Sequence, residues 1–204
     1  MNSRSSGTRE RILSVAERLI LRSGFNSTNI EDILEPAAIT KSGFFYHFAG
    51  KNDLAKSLVQ RYLDQDERLF QELFARADSL TEDPLQQLLI FLKLFAEAMA
   101  ALEYTHPGCL VVTFTYESYQ LDNEITDLVK GGVTGWRDMI TGRLLKVAQK
   151  TPLPDHIVIE DLADMFTSCV EGGILLSRMF QSNERLAQQI LLYRDYLRRL
   201  FNAV

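Results

Sequence analysis

Apolar positions recur every three or four residues along almost the whole chain, which is the period of a helix burying one face. Ile12, Ala16, Leu19 and Ile20 mark the first stripe, over residues 8–24, and Gly24 is placed to end that helix. Two much shorter stripes follow, between Thr28 and Phe48. In the first, Ile30, Ile33 and Leu34 share a face, and Thr28 followed by Glu31 reads as a capping box. Pro36-Ala37-Ala38-Ile39 then break the helix, and Thr40 is the cap of the next. In that second helix Phe44 and Phe48, four apart, turn inward, so Lys41, Ser42, Gly43, Phe45 and Tyr46 face solvent. The turn alone implies only a helical hairpin, but an exposed face so aromatic and so poor in acids suits a DNA major groove. Lys51 opens a further helix, where an ammonium group and unpaired backbone N–H groups together suit a phosphate.

That next helix is expected to run through Leu54, Leu58, Tyr62, Leu69 and Leu73 to about Arg76. Asp83 then caps a fifth, with Pro84 at its first position and Leu85, Leu88, Leu92, Phe95 and Met99 on its core face. His106-Pro107-Gly108 is a turn leading into a short sixth helix that ends near Tyr119. Its VVTFTY run has strand propensity, which helical neighbours override. A seventh helix spans about 122–149 with Val129, Val133, Trp136, Ile140 and Leu144 inward; Gly131, Gly132 and Gly135 weaken it or mark a close contact. Asp155 is the expected cap of an eighth helix to Phe180, and Asn183 of a ninth ending near Phe201. The class predicted is all-α, about nine helices, in two domains: 1–56 for the helix–turn–helix and 57–204 for a helical body.

The first ~56 residues resemble the DNA-binding domain of the TetR (TetR/AcrR) family of one-component bacterial regulators. The resemblance rests on Gly24-Phe25, Thr28, Ile33, then Ala37-Ala38-Ile39-Thr40-Lys41-Ser42-Gly43-Phe44-Phe45-Tyr46-His47-Phe48 and Lys51-Asn52-Asp53-Leu54, all in register. It implies operator contacts from Thr28, Thr40, Lys41, Ser42, Gly43, Phe45, Tyr46, His47 and Lys51, a ligand pocket in the body, and a homodimer. Ala38 stands where the family usually has a turn glycine, and a left-handed alanine costs about 1 kcal/mol. Phe45 stands where a tyrosine is usual, without its phosphate-bonding hydroxyl.

Charge refines this picture. The chain carries a net −5, yet residues 1–56 hold eight Lys/Arg against six acids, leaving 14 against 21 elsewhere. A basic head on an acidic body is the asymmetry expected when only the head meets phosphate. Apolar runs are short and broken by charge, MNSRSSGTRER lacks the apolar stretch of a signal peptide, and the two cysteines do not form a disulfide framework, so a cytoplasmic protein without a membrane span is expected. His47, His106 and His156 lie far apart and no catalytic or metal motif is present. Neither an enzyme nor a cofactor or metal is expected.

In the body, Phe95, Met99, Cys109, Thr113, Tyr116, Trp136, Met139, Phe166 and Cys169 are the candidate lining of an apolar effector pocket with a few polar groups. Taken singly, each reads first as plain core, and only the set suits a cavity. Cys109, opening a short helix, resembles a thiol placed for electrophile or redox sensing, against the reading of an inert buried thiol. Gly172, Gly173, Leu176, Phe180, Ile190, Tyr193, Leu197 and Phe201 give the last two helices more apolar surface than their own body needs, which points to a homodimer through a four-helix bundle. The function expected is a DNA-binding repressor released from a palindromic operator by a small molecule. A thiol-sensing repressor is one alternative, and a ligand-binding helical protein without operator binding is another.

Overall fold

The structure, a computed structural model, describes residues 3–117 and 122–202. Among them are nine helices and no strand: α1 Ser3–Ser23, α2 Ile30–Leu34, α3 Lys41–His47, α4 Lys51–Leu80, α5 Pro84–Ala100, α6 Leu110–Tyr116, α7 Asn123–Ala148, α8 Ile159–Phe180 and α9 Glu184–Asn202. None is long and apolar enough to cross a membrane. The chain divides into two compact units, Met1–Gln65 with Pro107–Gly132, and Asp66–His106 with Val133–Val204.

In the first unit Ile12, Ala16 and Ile20 of α1 are buried as their spacing dictates, while Leu19 is half-buried. Gly24 ends α1 at φ +88°, a conformation that costs other residues strain. Phe44, Phe48, Leu54 and Leu58 complete this core, and Phe25 meets Phe114 of α6 at 5.1 Å between ring centroids. Arg61 of α4 pairs with Glu10 and Glu17 of α1, tying the two helices together. Gly132 marks a close approach, since a Cβ there would stand 2.5 Å from Leu63 Cδ2.

The second unit is built around aromatic rings. Phe74 and Phe91 stack at 3.7 Å, Phe70 meets Phe95 edge-on at 5.3 Å, and Phe166 lies 6.0 Å from Phe95 and 5.8 Å from Tyr193. Such pairs add about 0.5–1.5 kcal/mol each beyond the area they bury. The Tyr193 hydroxyl is satisfied by donating to Leu162 O at 2.8 Å, and burial pushes its pKa up. Asp83 caps α5 as expected, accepting from Gln86 N at 2.9 Å, with Pro84 at its start.

Several boundaries differ from expectation. The cap of α2 is Asn29, whose N–H donates to Asp32 Oδ2 at 2.7 Å, so the box lies one residue beyond Thr28 and Glu31. Thr28 is buried instead, its hydroxyl donating to Gly24 O at 2.8 Å. Asp155 does not cap α8, because Pro154 and Ile157 form a turn and the helix starts after Val158. Asn183 precedes α9, but its side chain donates to Leu102 O and Tyr104 O and accepts from His106 N, holding the chain after α5. Val133 is partly exposed, not core. The expected end of α6 near Tyr119 falls outside the described residues.

Candidate nucleic-acid interface

The turn between α2 and α3 is held from three sides. Ile39 N donates to Leu34 O at 3.0 Å, closing the end of α2, and Ala38 takes φ +50°. Arg11 of α1 donates from Nε to Ala37 O at 2.7 Å. Thr40 then starts α3 as its cap, accepting from Gly43 N at 3.1 Å and sharing a hydrogen bond with Ser42 at 3.0 Å. Phe44 and Phe48 anchor the helix in the core, and the Arg9 guanidinium lies 5.1 Å from the Phe48 ring. A short helix cannot hold itself together in water, so its caps and these two anchors fix its pose.

The opposite face is the one expected to read DNA. Tyr46 is 77% exposed and Phe45 47%, with Lys41 and Ser42 also exposed. These residues and half-buried His47, whose ring meets Tyr46 edge-on at 5.0 Å, share one seven-residue helix. Lys41 Nζ donates to Glu31 Oε1 at 2.7 Å, and this bond holds the Glu31 carboxyl below the usual carboxylate range. Gly43 is pressed against the Thr40 hydroxyl, where a Cβ would stand at 3.3 Å, so its part is backbone.

Lys51 sits at the start of α4, half-buried. Its ammonium lies 4.4 Å from the Phe25 ring centroid and reaches Asn26 O at 3.3 Å. Burial lowers its pKa, while the charges of Glu117 and Asp32 act the other way. An ammonium carries three N–H donors, so one on Asn26 leaves two for a phosphate. Thr28 is a correction: a side chain 3% exposed with its hydroxyl already bonded does not reach DNA. Sequence reasoning missed Arg11 and Glu117, whose partners lie 26 and more than 90 residues away.

The expected pocket and dimer residues are placed differently. Phe95 and Phe166 pack ring against ring, Met99 is buried, and Trp136, Met139 and Cys169 are half-buried, all in the second unit. Burial raises the pKa of the Cys169 thiol. In the first unit Cys109 is buried and the Thr113 hydroxyl donates to Cys109 O at 3.0 Å. Tyr116 is 80% exposed, which corrects its assignment as pocket lining. A cleft of about 260 Å³ lies elsewhere, between Asp83-Pro84-Leu85-Gln86 and Val147, Lys150 and Thr151.

Of the expected dimer residues, Gly173, Ile190, Tyr193, Leu197 and Phe201 are buried within the chain's own second unit, where a second subunit cannot bury them further. Gly172 and Leu176 are half-buried and Phe180 is exposed, with the Arg185 guanidinium 5.1 Å from its ring. The large apolar side chains these two helices leave exposed are Leu175, Met179 and Phe180 on α8 with Leu191, Leu192 and Tyr196 on α9.

Residues 12–58 match the family model of bacterial regulatory proteins, tetR family, and residues 84–191, more than half of the chain, match the tetracyclin repressor-like C-terminal domain. The chain is 30% identical to the HTH-type transcriptional regulator TtgR of Pseudomonas putida over 82% of its own length and 78% of the relative's. It is 28% identical to the transcriptional regulator AcuR of Cereibacter sphaeroides over 76% and 69%. A TetR-family regulator from Agrobacterium tumefaciens superimposes with a TM-score of 0.76 at 26% identity, over 97% of this chain and 99% of that one. The capped, core-anchored helix–turn–helix and both matched domains agree: the chain belongs to the TetR family of DNA-binding transcriptional regulators, and is not an enzyme.

Proposed function

We propose that the chain is a ligand-responsive repressor that binds a palindromic operator as a homodimer and leaves it when a small molecule occupies its body. The exposed face of α3, Lys41, Ser42, Phe45 and Tyr46 on a helix pinned by Phe44 and Phe48, carries the reading. Phe45 is suited to a thymine methyl, while Lys41, Tyr46, His47 and the Thr40 and Gly43 backbone fit sugar and phosphate. One chain has one such helix, and a palindrome needs two, about 34–36 Å apart in the simplest case. Leu175, Met179, Phe180, Leu192 and Tyr196 supply the apolar face for that pairing.

The effector acts by preferring the conformation that does not fit DNA, which requires a differential affinity of a few kcal/mol. It is apolar or small, and the half-buried Trp136, the chain's single tryptophan, reports its arrival by fluorescence. Cys109 at 5% exposure favours a non-covalent effector over thiol chemistry. The site of action is the cytoplasm, where the operator is. The deciding experiment is a shift assay on the DNA upstream of the chain's own coding sequence against a shuffled duplex, at several salt concentrations. Preferential, salt-dependent binding of the upstream duplex is expected; equal binding of the two would overturn the operator reading.

A further inference from the structure

Glu117 follows the last residue of α6, and its carboxylate grips the loop that follows α1. Oε1 accepts the Phe25 N–H at 3.0 Å and Oε2 accepts the Asn26 N–H at 2.7 Å, both within the first unit. Gly24 takes φ +88°, and a Cβ there would stand 2.6 Å from Oε1, so a larger residue would be strained and would displace the carboxylate from its present place. Phe114, three residues earlier, braces the contact by packing on Phe25.

The same loop carries Lys51 on its other side. Asn26 is held through its N–H by the Glu117 anion and through its C=O by the Lys51 cation, whose charge Glu117 also favours against burial. A carboxylate taking two consecutive amides is the stronger kind of hydrogen bond, because the acceptor is ionised. Without it the two amides are left to water, and the loop loses the anion that opposes Lys51.

We propose that Glu117 is a positioning residue for DNA binding, fixing the Gly24–Asn26 loop and through it the Lys51 ammonium that meets phosphate. The proposal rests on the operator reading and on the phosphate role of Lys51. An ordinary loop anchor would affect stability alone. A positioning residue also decides how much Lys51 contributes to binding.

The test uses the full chain as wild type, Glu117→Ala, Glu117→Gln and Lys51→Ala, with the Glu117→Ala/Lys51→Ala double variant, on the upstream and shuffled duplexes. Thermal unfolding gives the folded fraction, so that affinities compare folded protein. Glu117→Ala should weaken upstream binding at least about tenfold, as expected for losing hydrogen bonds to a charged group. Glu117→Gln, which keeps one amide acceptor, should fall between it and wild type. Lys51→Ala should lower the salt slope by about one in the wild-type background and by much less beside Glu117→Ala. Wild type that discriminates the duplexes while Glu117→Ala binds equally well overturns the proposal alone, as does a Lys51→Ala slope change of equal size in both backgrounds. Wild type that does not discriminate overturns the operator reading, and this inference with it.

Discussion

Gly173 of α8 lies so close to Leu186 of α9 that a Cβ at 173 would stand 2.9 Å from the Leu186 Cα. Backbone cannot swing aside as a side-chain tip can, so any larger residue must push the two helices apart. Gly173→Ala is therefore expected to cost about 1–3 kcal/mol, as overpacking does, and to lower Tm by several degrees. Gly172, with nothing within 4 Å of its virtual Cβ, is the internal control. Gly172→Ala should leave Tm level or raise it, by up to about 1 kcal/mol of helix propensity. Calorimetry of the two variants reads both effects.

Leu197 is fully buried in its own subunit, so Leu197→Arg should unfold the second unit. Met179 and Leu175 are 68% and 59% exposed. Met179→Arg should retain helicity and thermal stability while giving monomers, because each arginine would enter a twofold interface without a partner. Light scattering that still reports a dimer would place the interface on another face.

The helices and the helix–turn–helix were legible because each rests on local spacing, with Thr40 and Asp83 the caps that stand where the sequence puts them. The inward faces of α8 and α9 were not. Ile190, Tyr193, Leu197 and Phe201 form one apolar stripe of α9, Leu192 and Tyr196 a second, and period alone does not say which is covered. The packing of α5 and α8 against α9 decides it, with Arg194 Nε donating to Leu89 O at 3.0 Å. Thr28, an operator contact only by the family resemblance, is buried, since a hydroxyl that bonds Gly24 O four residues back can be buried at little cost. Glu117 carried no local signal, as its partners lie more than 90 residues away. The strain at Ala38 was legible only through the family's turn glycine.

Ala38 at φ +50° gives a direct stability prediction. Glycine removes the left-handed penalty of about 1–2 kcal/mol and returns part of it as chain entropy in the unfolded state. Ala38→Gly should stabilise the protein by about 0.5–1 kcal/mol. Because Arg11 holds the neighbouring Ala37 carbonyl, the turn geometry should persist and operator affinity should hold or improve. A lower Tm for this variant would mean the turn relaxes differently.

Phe45 and Lys41 separate specificity from affinity. Phe45→Ala should collapse the ratio of upstream to shuffled binding by about 1–3 kcal/mol, the worth of a good base contact, with little change on the shuffled duplex. Lys41→Ala should instead weaken both duplexes and reduce the salt slope by about one. Glu31→Gln releases Lys41 from its 2.7 Å ion pair and removes an anion beside it, so binding should strengthen on both duplexes at low salt. Loss of affinity in Glu31→Gln would show that the pair orients Lys41 for its contact.

His106 gives the chain an acid-side sensitivity. It lies between α5 and α6, its N–H held by Asn183 Oδ1 at 2.9 Å, and burial, with the nearby Arg178 charge, lowers its imidazole pKa below the ordinary 6.5. A base with a depressed folded pKa binds fewer protons in the native state than in the unfolded one. Unfolding is then favoured as pH falls below about 6.5, where the unfolded imidazole charges first, and the penalty is complete once pH passes below the folded pKa. Above pH 7 both states are neutral and the effect vanishes. His106→Gln, which does not titrate, should match wild type in its dependence on pH at 7–8 and lose less stability than wild type toward pH 5. Denaturant midpoints across that range measure it, and parallel curves for the two proteins would show that His106 stays neutral, or charges equally, in both states.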